Sequence, residues 1–407
     1  MDNLKNGEWL LSTRAVRGRC NDVFEYVTAG RSRYFALHVE RLPDCAATVI
    51  EVMNRNYPRY NIPYHSRWRH FEIGGVDRWN AWCVGVLDRE PLDRIRAAID
   101  LVVVSVLLDA GAGTRWRYHE LSTNTAYSRS EGLAVASFNL FTQGGFSSDP
   151  HCLAQADADG LAIFDEQHLV NGFQVTPANP LDGITGRVQL LNRLGAALRR
   201  NLPDDSNPRV ADLFNAILSA SPQRALAAHD ILSILLYTLG DIWPQRRCID
   251  GVIVGDVGRH PAADDTSPTR GWVPFHKLSQ WLAYSLIEPF EWAGFAVEGV
   301  DALTGLAEYR NGGLFIDTGV LTVHDERLLR EPLAPDSRPV VEWRALTVTL
   351  LDRLADEIRT CSGMDETELP LARILEGGTW SAGREVAVQR RADGSPPIRL
   401  LSDGTVF

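Results

Sequence analysis

Residues 92–108 read LDRIRAAIDLVVVSVLL, and from Ile99 onward the apolar run suits either a buried strand or a buried helix. Its β-branched residues favour a strand. The preceding LDRIRAAID is amphipathic with a helical period, however, so a single helix through Leu108 accounts for both halves. Read this way, the stretch sets the class of the whole chain as mainly α with minor β.

Working outward, Ser12 is placed to cap a helix running to about Thr28, with Val16, Val23, Phe24 and Val27 on one face and Gly30 as its stop. A second amphipathic helix is expected from Pro43 to Asn56, and the Pro- and Gly-punctuated stretch 57–76 is expected to be extended. Further helices are expected at 130–141, capped by Ser130 and closed by Gly144-Gly145, and at 183–200, 227–239, 276–293 and 342–359. Glu342 suits the positive end of the last of these. Residues 258–269 (GRHPAADDTSPT) read as a mobile surface loop, and 314–323 as a short strand. A C-terminal hairpin is expected from 385–389 and 398–401 around Asp393-Gly394. No linker forces two domains, so residues 1–407 read as one unit, with sub-regions 1–175 and 176–407.

The chain has 407 residues, 45% hydrophobic and 23% charged, which is ample for a large core. A formal net charge of -11 argues against nucleic acid or anionic membrane as a partner, since both need a basic field. No apolar run is long enough to span a bilayer, and the first residues lack the apolar core of a signal peptide, so a cytoplasmic location is expected. Cys20, Cys45, Cys83, Cys152, Cys248 and Cys361 stand singly with no CxxC, which points to thiols rather than a disulfide framework or a zinc ribbon.

DALTGLAEYRNGG, residues 301–313, sets ionisable groups directly after the apolar segment 275–295. A carboxylate held in apolar surroundings acquires a raised pKa and acid/base capability unless a cation pairs with it. Arg310 is the obvious cation for Glu308, and a Gly-Gly turn follows. Ion pair and catalytic group both fit that spacing. Residues 62–79 (IPYHSRWRHFEIGGVDRW) bring His65, Arg67, Trp68, Arg69 and His70 to a Gly-Gly turn that could receive a phosphate or carboxylate. His65 and His70 have no zinc spacing, and no metal or other cofactor is expected. Arg129 and Glu131 flank Ser130 as ligand candidates or capping residues. His276 and Lys277 open a helix whose Gln280, Tyr284 and Glu288 share a face that is too polar for a dry core, so it either lines a wet cavity or is exposed. EGGTWSAGRE, residues 376–385, resembles a phosphate cradle only loosely, and the P-loop and dinucleotide patterns are absent.

The blocks LSTRAVRGRCNDVF, IPYHSRWRHFEIGGVDRW, RSEGLAVASFNLF, PFHKLSQWLAYSLIEPFEWAGF, LTGLAEYRNGGLFIDTGVL, LEGGTWSAGRE and SDGTVF resemble the fungal and bacterial uracil-catabolism family, long known as a domain of unknown function. The resemblance covers nearly the whole chain. It implies a role in degrading uracil through a ribosylurea-type intermediate with release of urea. HKLSQ, DALTGLAEYR and WRALTV also resemble the blocks KRAQ, DELTxFADYR and IRAATV of the queuosine-nucleotide salvage glycosidases. That second resemblance implies a helical DNA-glycosylase-like core, to which the C-terminal hairpin is added. It puts Glu308 where the salvage family has its active-site Asp, Asp301 at the block's first carboxylate, and Lys277 near a 5′-phosphate. Glu for Asp moves the carboxylate outward by one methylene, and the salvage block lacks Asn311-Gly312-Gly313.

These resemblances imply an N-ribosyl hydrolase acting on a small ribosyl substrate, ribosylurea with or without a 5′-phosphate. A carboxylate would stabilise oxocarbenium character or activate water, as in other glycosidases. Glu308 is the expected carboxylate, assisted by Asp301. Lys277 with His276, or Arg67 and Arg69, would hold the phosphate, and Tyr309 or Trp68 would stack on the planar leaving group. A metal-dependent amidohydrolase using His65 and His70, and a non-catalytic pathway partner, are the alternatives.

Overall fold

The structure, a computed structural model, describes residues 6–85, 90–219, 225–243, 247–264 and 266–401. The stretch that sets the class is one helix, Pro91–Leu107. Pro91 fits its first turn, where a missing N–H breaks no helical bond. Every residue from Ala97 to Leu107 is buried, so this segment is surrounded by protein on all sides. Its single charge, Asp100, accepts Arg209 Nε at 2.8 Å and the N–H groups of Ala156 and Ala211 at 3.0 and 2.8 Å. Burial still pushes the Asp100 carboxyl up from its ordinary pKa.

The described chain forms two compact units, one of residues 1–65, 247–280 and 299–401, the other of 66–246 and 281–298. Both are discontinuous in sequence. In the first unit, helix Thr13–Thr28 begins where Ser12 Oγ accepts the N–H of Ala15 at 3.1 Å, and Gly30 ends it at a left-handed φ of 69°. Its Val16, Cys20 and Val23 pack with Val341, Ala345 and Val348 of the long helix Arg338–Ser362, together with Val273, Phe275 and Ala307. Each such valine contributes on the order of 1.5–3 kcal/mol by leaving water. Helices Leu42–Asn56, Tyr309–Asp317 and Trp380–Arg390 complete this unit, with small antiparallel pairs such as Phe35–Leu37 against Leu321–Val323.

The second unit holds Pro91–Leu107, Arg129–Thr142, Ile184–Asn201, Ala228–Leu239 and most of helix Lys277–Trp292. Pro289 lies inside that last helix and has no N–H for the Ser285 carbonyl. The indole of Trp68 takes its place, donating to Ser285 O at 2.8 Å. Among the described residues no helix is long and apolar enough to cross a membrane, and the six cysteines form no disulfide.

Helices dominate and the sheets are small, as the hydrophobic period predicts, but several local expectations are corrected. Residues 385–389 belong to helix Trp380–Arg390, so there is no C-terminal hairpin; Asp393-Gly394 is a turn after that helix, with Gly394 at φ 60° and Asp393 accepting the N–H of Ser395. Residue 400 instead bridges in parallel to Leu333, and the terminal SDGTVF lies outside the described residues. The expected strand at 314–323 is half helix, because Tyr309–Asp317 runs straight through Gly312-Gly313; only Leu321–Val323 is strand. The stretch expected to be extended contains helix Arg67–Phe71.

The expected mobile loop at 258–269 is tied down as far as it is described. Arg19 donates to Ala263 O and Thr269 Oγ1, and His260 Nε2 meets Glu342 at 2.9 Å. Glu342 sits a full turn inside Arg338–Ser362 and bonds Ser32 and His260, so it does not serve the helix start. Ser130 is likewise inside its helix, where it donates to Asp109 at 2.9 Å. Gln280 and Tyr284 are buried rather than wet, and Gln280 is satisfied by Thr304.

Candidate functional site

Glu308 is the N-cap of helix Tyr309–Asp317. Its Oε2 accepts the backbone N–H of Arg310 at 2.8 Å and its Oε1 that of Asn311. Both carboxylate oxygens are thereby fixed at the positive end of a helix, and each keeps a second lone pair for a ligand. Glu308 retains some solvent contact although protein crowds it, and burial pushes its pKa up despite the two N–H groups and the nearby charges of Lys277 and His65. Arg310 is not its ion-pair partner: the guanidinium donates to Gly394 O at 2.8 Å and lies over the Tyr309 ring. Of the two readings left open by spacing, the Glu308–Arg310 ion pair is therefore excluded.

The glycines expected to form a turn are helical and set the packing of this site. A Cβ on Gly312 would stand 2.7 Å from the Trp343 indole, and one on Gly313 would stand 3.0 Å from Pro397. The glycines of EGGTWSAGRE follow the same logic. Leu375–Thr379 is a π-helical turn, and a Cβ on Gly377 would meet Ile62 at 2.8 Å and one on Gly378 would meet Val49 at 2.4 Å. Gly383 lets its helix approach the Arg310 carbonyl. They serve close helix packing rather than a phosphate cradle.

His65 lies in the same unit as Glu308. Its backbone N–H donates to Ala372 O at 2.9 Å, and its Nδ1 meets Glu376 Oε2 at 2.8 Å. The Trp380 ring lies 6.5 Å from the imidazole, and Thr379 Oγ1 donates to Asn311 Oδ1 at 2.9 Å, joining the π-turn to the helix that Glu308 starts. Glu376 and Thr379 were not singled out by sequence reasoning. Their segment stands out for its glycines and as one block of the family resemblance, and no spacing rule connects residue 65 to residue 376. Tyr309 is exposed beside Glu308, as a stacking group would need.

Lys277 opens its helix, where Asp256 Oδ2 accepts its backbone N–H at 3.1 Å while Arg344 holds the Asp256 carboxylate with two bonds of 2.8 and 2.7 Å. Those arginine contacts hold the Asp256 pKa down against its burial. His276, just before, has a left-handed φ of 49°, a conformation that costs a non-glycine residue on the order of 1 kcal/mol or more. Its ring is buried with Nε2 bonded to Leu10 O at 2.7 Å, and burial lowers its pKa. Asp301 is engaged by Arg359 and by the N–H of Leu371 at 2.6 Å, and Arg17 grips the carbonyls of residues 301–303. Those bonds anchor backbone, and burial raises the Asp301 pKa in spite of them.

The remaining candidates fall in the other unit. Arg67 is wholly buried against Ser105, Ser130 O and Asp109, Arg69 binds Glu72 and Glu288, and Trp68 is buried among Phe71, Trp79 and Trp292. These contacts occupy Arg67 and Arg69 with carboxylates and remove Trp68 from stacking on a ligand. Arg129 is exposed at its helix start with a left-handed φ of 54°, and the charge of Glu131 acts on Arg67. His65 and His70 fall in different units, and among the described residues no group of three or more His, Cys, Asp or Glu could hold a metal ion.

The chain is 38% identical over 98% of its length, and 98% of the relative's, to Protein urg3 of Schizosaccharomyces pombe. It is 36% identical over 97% of its length, and 98% of the relative's, to Uracil catabolism protein 4 of Lachancea kluyveri. Residues 9–407 match the family described as "Protein of unknown function (DUF1688)". The protein is thus a member of the DUF1688 family across nearly its whole length.

Proposed function

We propose that this chain acts in uracil catabolism as a hydrolase that cleaves the bond between ribose C1 and nitrogen in ribosylurea or its 5′-phosphate, releasing urea. The pathway is supported by the relative named for uracil catabolism, 36% identical over 97% of this chain. The observation that carries the reaction is Glu308, a carboxylate immobilised by two backbone N–H groups, with its pKa raised by burial and with Lys277 and His65 in electrostatic reach.

As the C1–N bond lengthens, the sugar takes on oxocarbenium character. A carboxylate held in a fixed position stabilises that charge without reorganising and can also accept a proton from the attacking water. Its raised pKa brings it nearer the working pH, where a general base is most effective. Lys277 is the cation for a 5′-phosphate, and Tyr309 is the exposed ring beside the carboxylate. Asp301 holds backbone in this reading.

The test is urea release from ribosylurea and from its 5′-phosphate, by the wild type and by Glu308→Gln. Release by the wild type with a loss of about 100-fold or more in the variant is expected, in line with the usual scale of acid–base catalysis. Undiminished release in Glu308→Gln would remove the carboxylate from the chemistry. Absence of release from both compounds by the wild type would overturn the reaction itself.

A further inference from the structure

The reading above gives His65 no chemical step and does not use its partner Glu376, yet the pair is closely ordered. His65 is buried, its backbone is pinned to Ala372 O, and its Nδ1 lies 2.8 Å from the Glu376 carboxylate. A carboxylate at Nδ1 holds a proton there and fixes the ring plane, so that proton exchange with a substrate becomes the work of Nε2. Glu376 sits in a π-helical turn, a rare irregularity that frequently occurs at functional sites, and the turn packs too closely for a side chain at Gly377 or Gly378. The same turn reaches the helix of Glu308 through Thr379 and Asn311. One element therefore orients the imidazole and also braces the carboxylate.

Chemistry gives this pair a task. A urea nitrogen leaving as an anion is a very poor leaving group, so cleavage at neutral pH needs a proton delivered to it as the bond breaks. Glu308 cannot both take the water proton and supply that one in the same step. We propose that His65, oriented by Glu376, is the general acid that protonates the departing urea nitrogen; this rests on the N-ribosyl hydrolase reading.

In the step, the C1–N electron pair goes to nitrogen, which takes the proton from imidazolium Nε2. The water oxygen bonds to C1 and gives a proton to Glu308. Transfer of that proton back to His65 through solvent restores both groups, and the net change is ribosylurea plus water to ribose plus urea. His65 is the catalytic residue and Glu376 its positioning residue. Glu376 from the π-turn meets the imidazole directly, and the charges of His65 and of Lys277, from a third element, both act on Glu308.

A leaving group that needs no proton separates this role from any other. Ribosylurea and 4-nitrophenyl β-D-riboside, each with and without a 5′-phosphate, are compared for the wild type, His65→Ala, Glu308→Gln and Glu376→Gln, all checked for native circular dichroism. His65→Ala should lose about 100-fold or more in urea release while releasing nitrophenolate within about tenfold of the wild type. Glu308→Gln should lose both. Glu376→Gln should show a smaller loss with the same selectivity, partly restored in Glu376→Asp. Equal loss on both leaving groups in His65→Ala, or no loss on either, would overturn the general acid while leaving the reaction standing. A wild type that releases no urea would overturn the reaction, and the acid with it.

Discussion

Glu308 accepts the backbone N–H of Asn311 three residues ahead of it, so the side chain assigned to chemistry is also the one that starts the helix Tyr309–Asp317. Substitution separates the two roles. Glu308→Asp keeps a carboxylate and brings in one of the preferred N-caps, so the melting temperature should hold or rise. It also withdraws the reacting oxygens by a methylene, and a misplacement of about 1 Å can cost on the order of 100-fold in rate. We expect Glu308→Asp to lose about 10- to 100-fold in urea release with stability intact. Glu308→Gln should lose more activity and about 1 kcal/mol of the cap. Thermal melts and urea assays on the same preparations check both, and parallel loss of fold and activity in the Asp variant would argue that the carboxylate is only a cap.

Gly312 packs under Trp343, whose indole N–H donates to the Gly312 carbonyl at 3.1 Å and whose ring lies 2.7 Å from where a Cβ would stand. Gly312→Ala should therefore destabilise the protein by about 1–3 kcal/mol through overpacking. Gly18, exposed in helix Thr13–Thr28 with nothing within 4 Å of its Cβ position, is the opposite case. Gly18→Ala should stabilise by about 0.5–1 kcal/mol, the ordinary helix preference for alanine. Denaturant unfolding of the two variants gives opposite signs if packing is the reason for Gly312, and the same sign if it is not.

These glycines also mark where the sequence is readable and where it is not. Helical period is a property of one segment, so Pro91–Leu107 and Thr13–Thr28 can be read from their own residues, cap and stop included. A glycine pair carries no such label: Gly312-Gly313 and Gly377-Gly378 look like turns, and only the side chains facing them, Trp343, Pro397, Ile62 and Val49, make them packing sites. For the same reason Glu308 and Lys277 could be singled out from sequence blocks, while Glu376 could not. Its partner His65 is 311 residues away, and a contact at that separation leaves no trace in local pattern. The Glu308–Arg310 ion pair, one of the two readings that spacing allows, fails in a related way, because a residue two positions on presents its backbone N–H to a capping side chain while its own side chain goes elsewhere.

Asp301 and Arg359 join the turn before the Glu308 block to the end of helix Arg338–Ser362, and the same carboxylate accepts the N–H of Leu371. Its bonds are to backbone and to one cation, so removing its charge should weaken the fold and spare the chemistry. Asp301→Asn takes one carboxylate from Arg359, leaving that guanidinium with Asp356 and the Leu369 carbonyl, and should cost about 1–3 kcal/mol. Below its lowered melting temperature, kcat for urea release should stay within about threefold of the wild type. A large fall in kcat at unchanged stability would instead return Asp301 to the reacting groups.

Glu288 gives the protein a pH dependence that can be measured apart from catalysis. Its carboxylate accepts Ser66 Oγ at 2.6 Å and Arg69 at 2.7 Å, but burial outweighs both and pushes its pKa from 4.5 up to about 6, with Glu72 and Glu291 adding to the rise. A folded-state pKa above the unfolded one means that the folded protein binds the proton more readily. The stability from this group is therefore fully present below about pH 4.5 and is lost as the pH rises through about 6. At about 1.4 kcal/mol per pH unit, the gap between 4.5 and about 6 amounts to about 2 kcal/mol. Glu288→Gln keeps the size and an acceptor for Ser66 but cannot titrate. Between pH 7.5 and pH 4, the wild type should gain about 2 kcal/mol of unfolding free energy relative to Glu288→Gln. A difference that stays flat across that range would mean that Glu288 titrates as an ordinary surface carboxylate and that Arg69 compensates its burial in full.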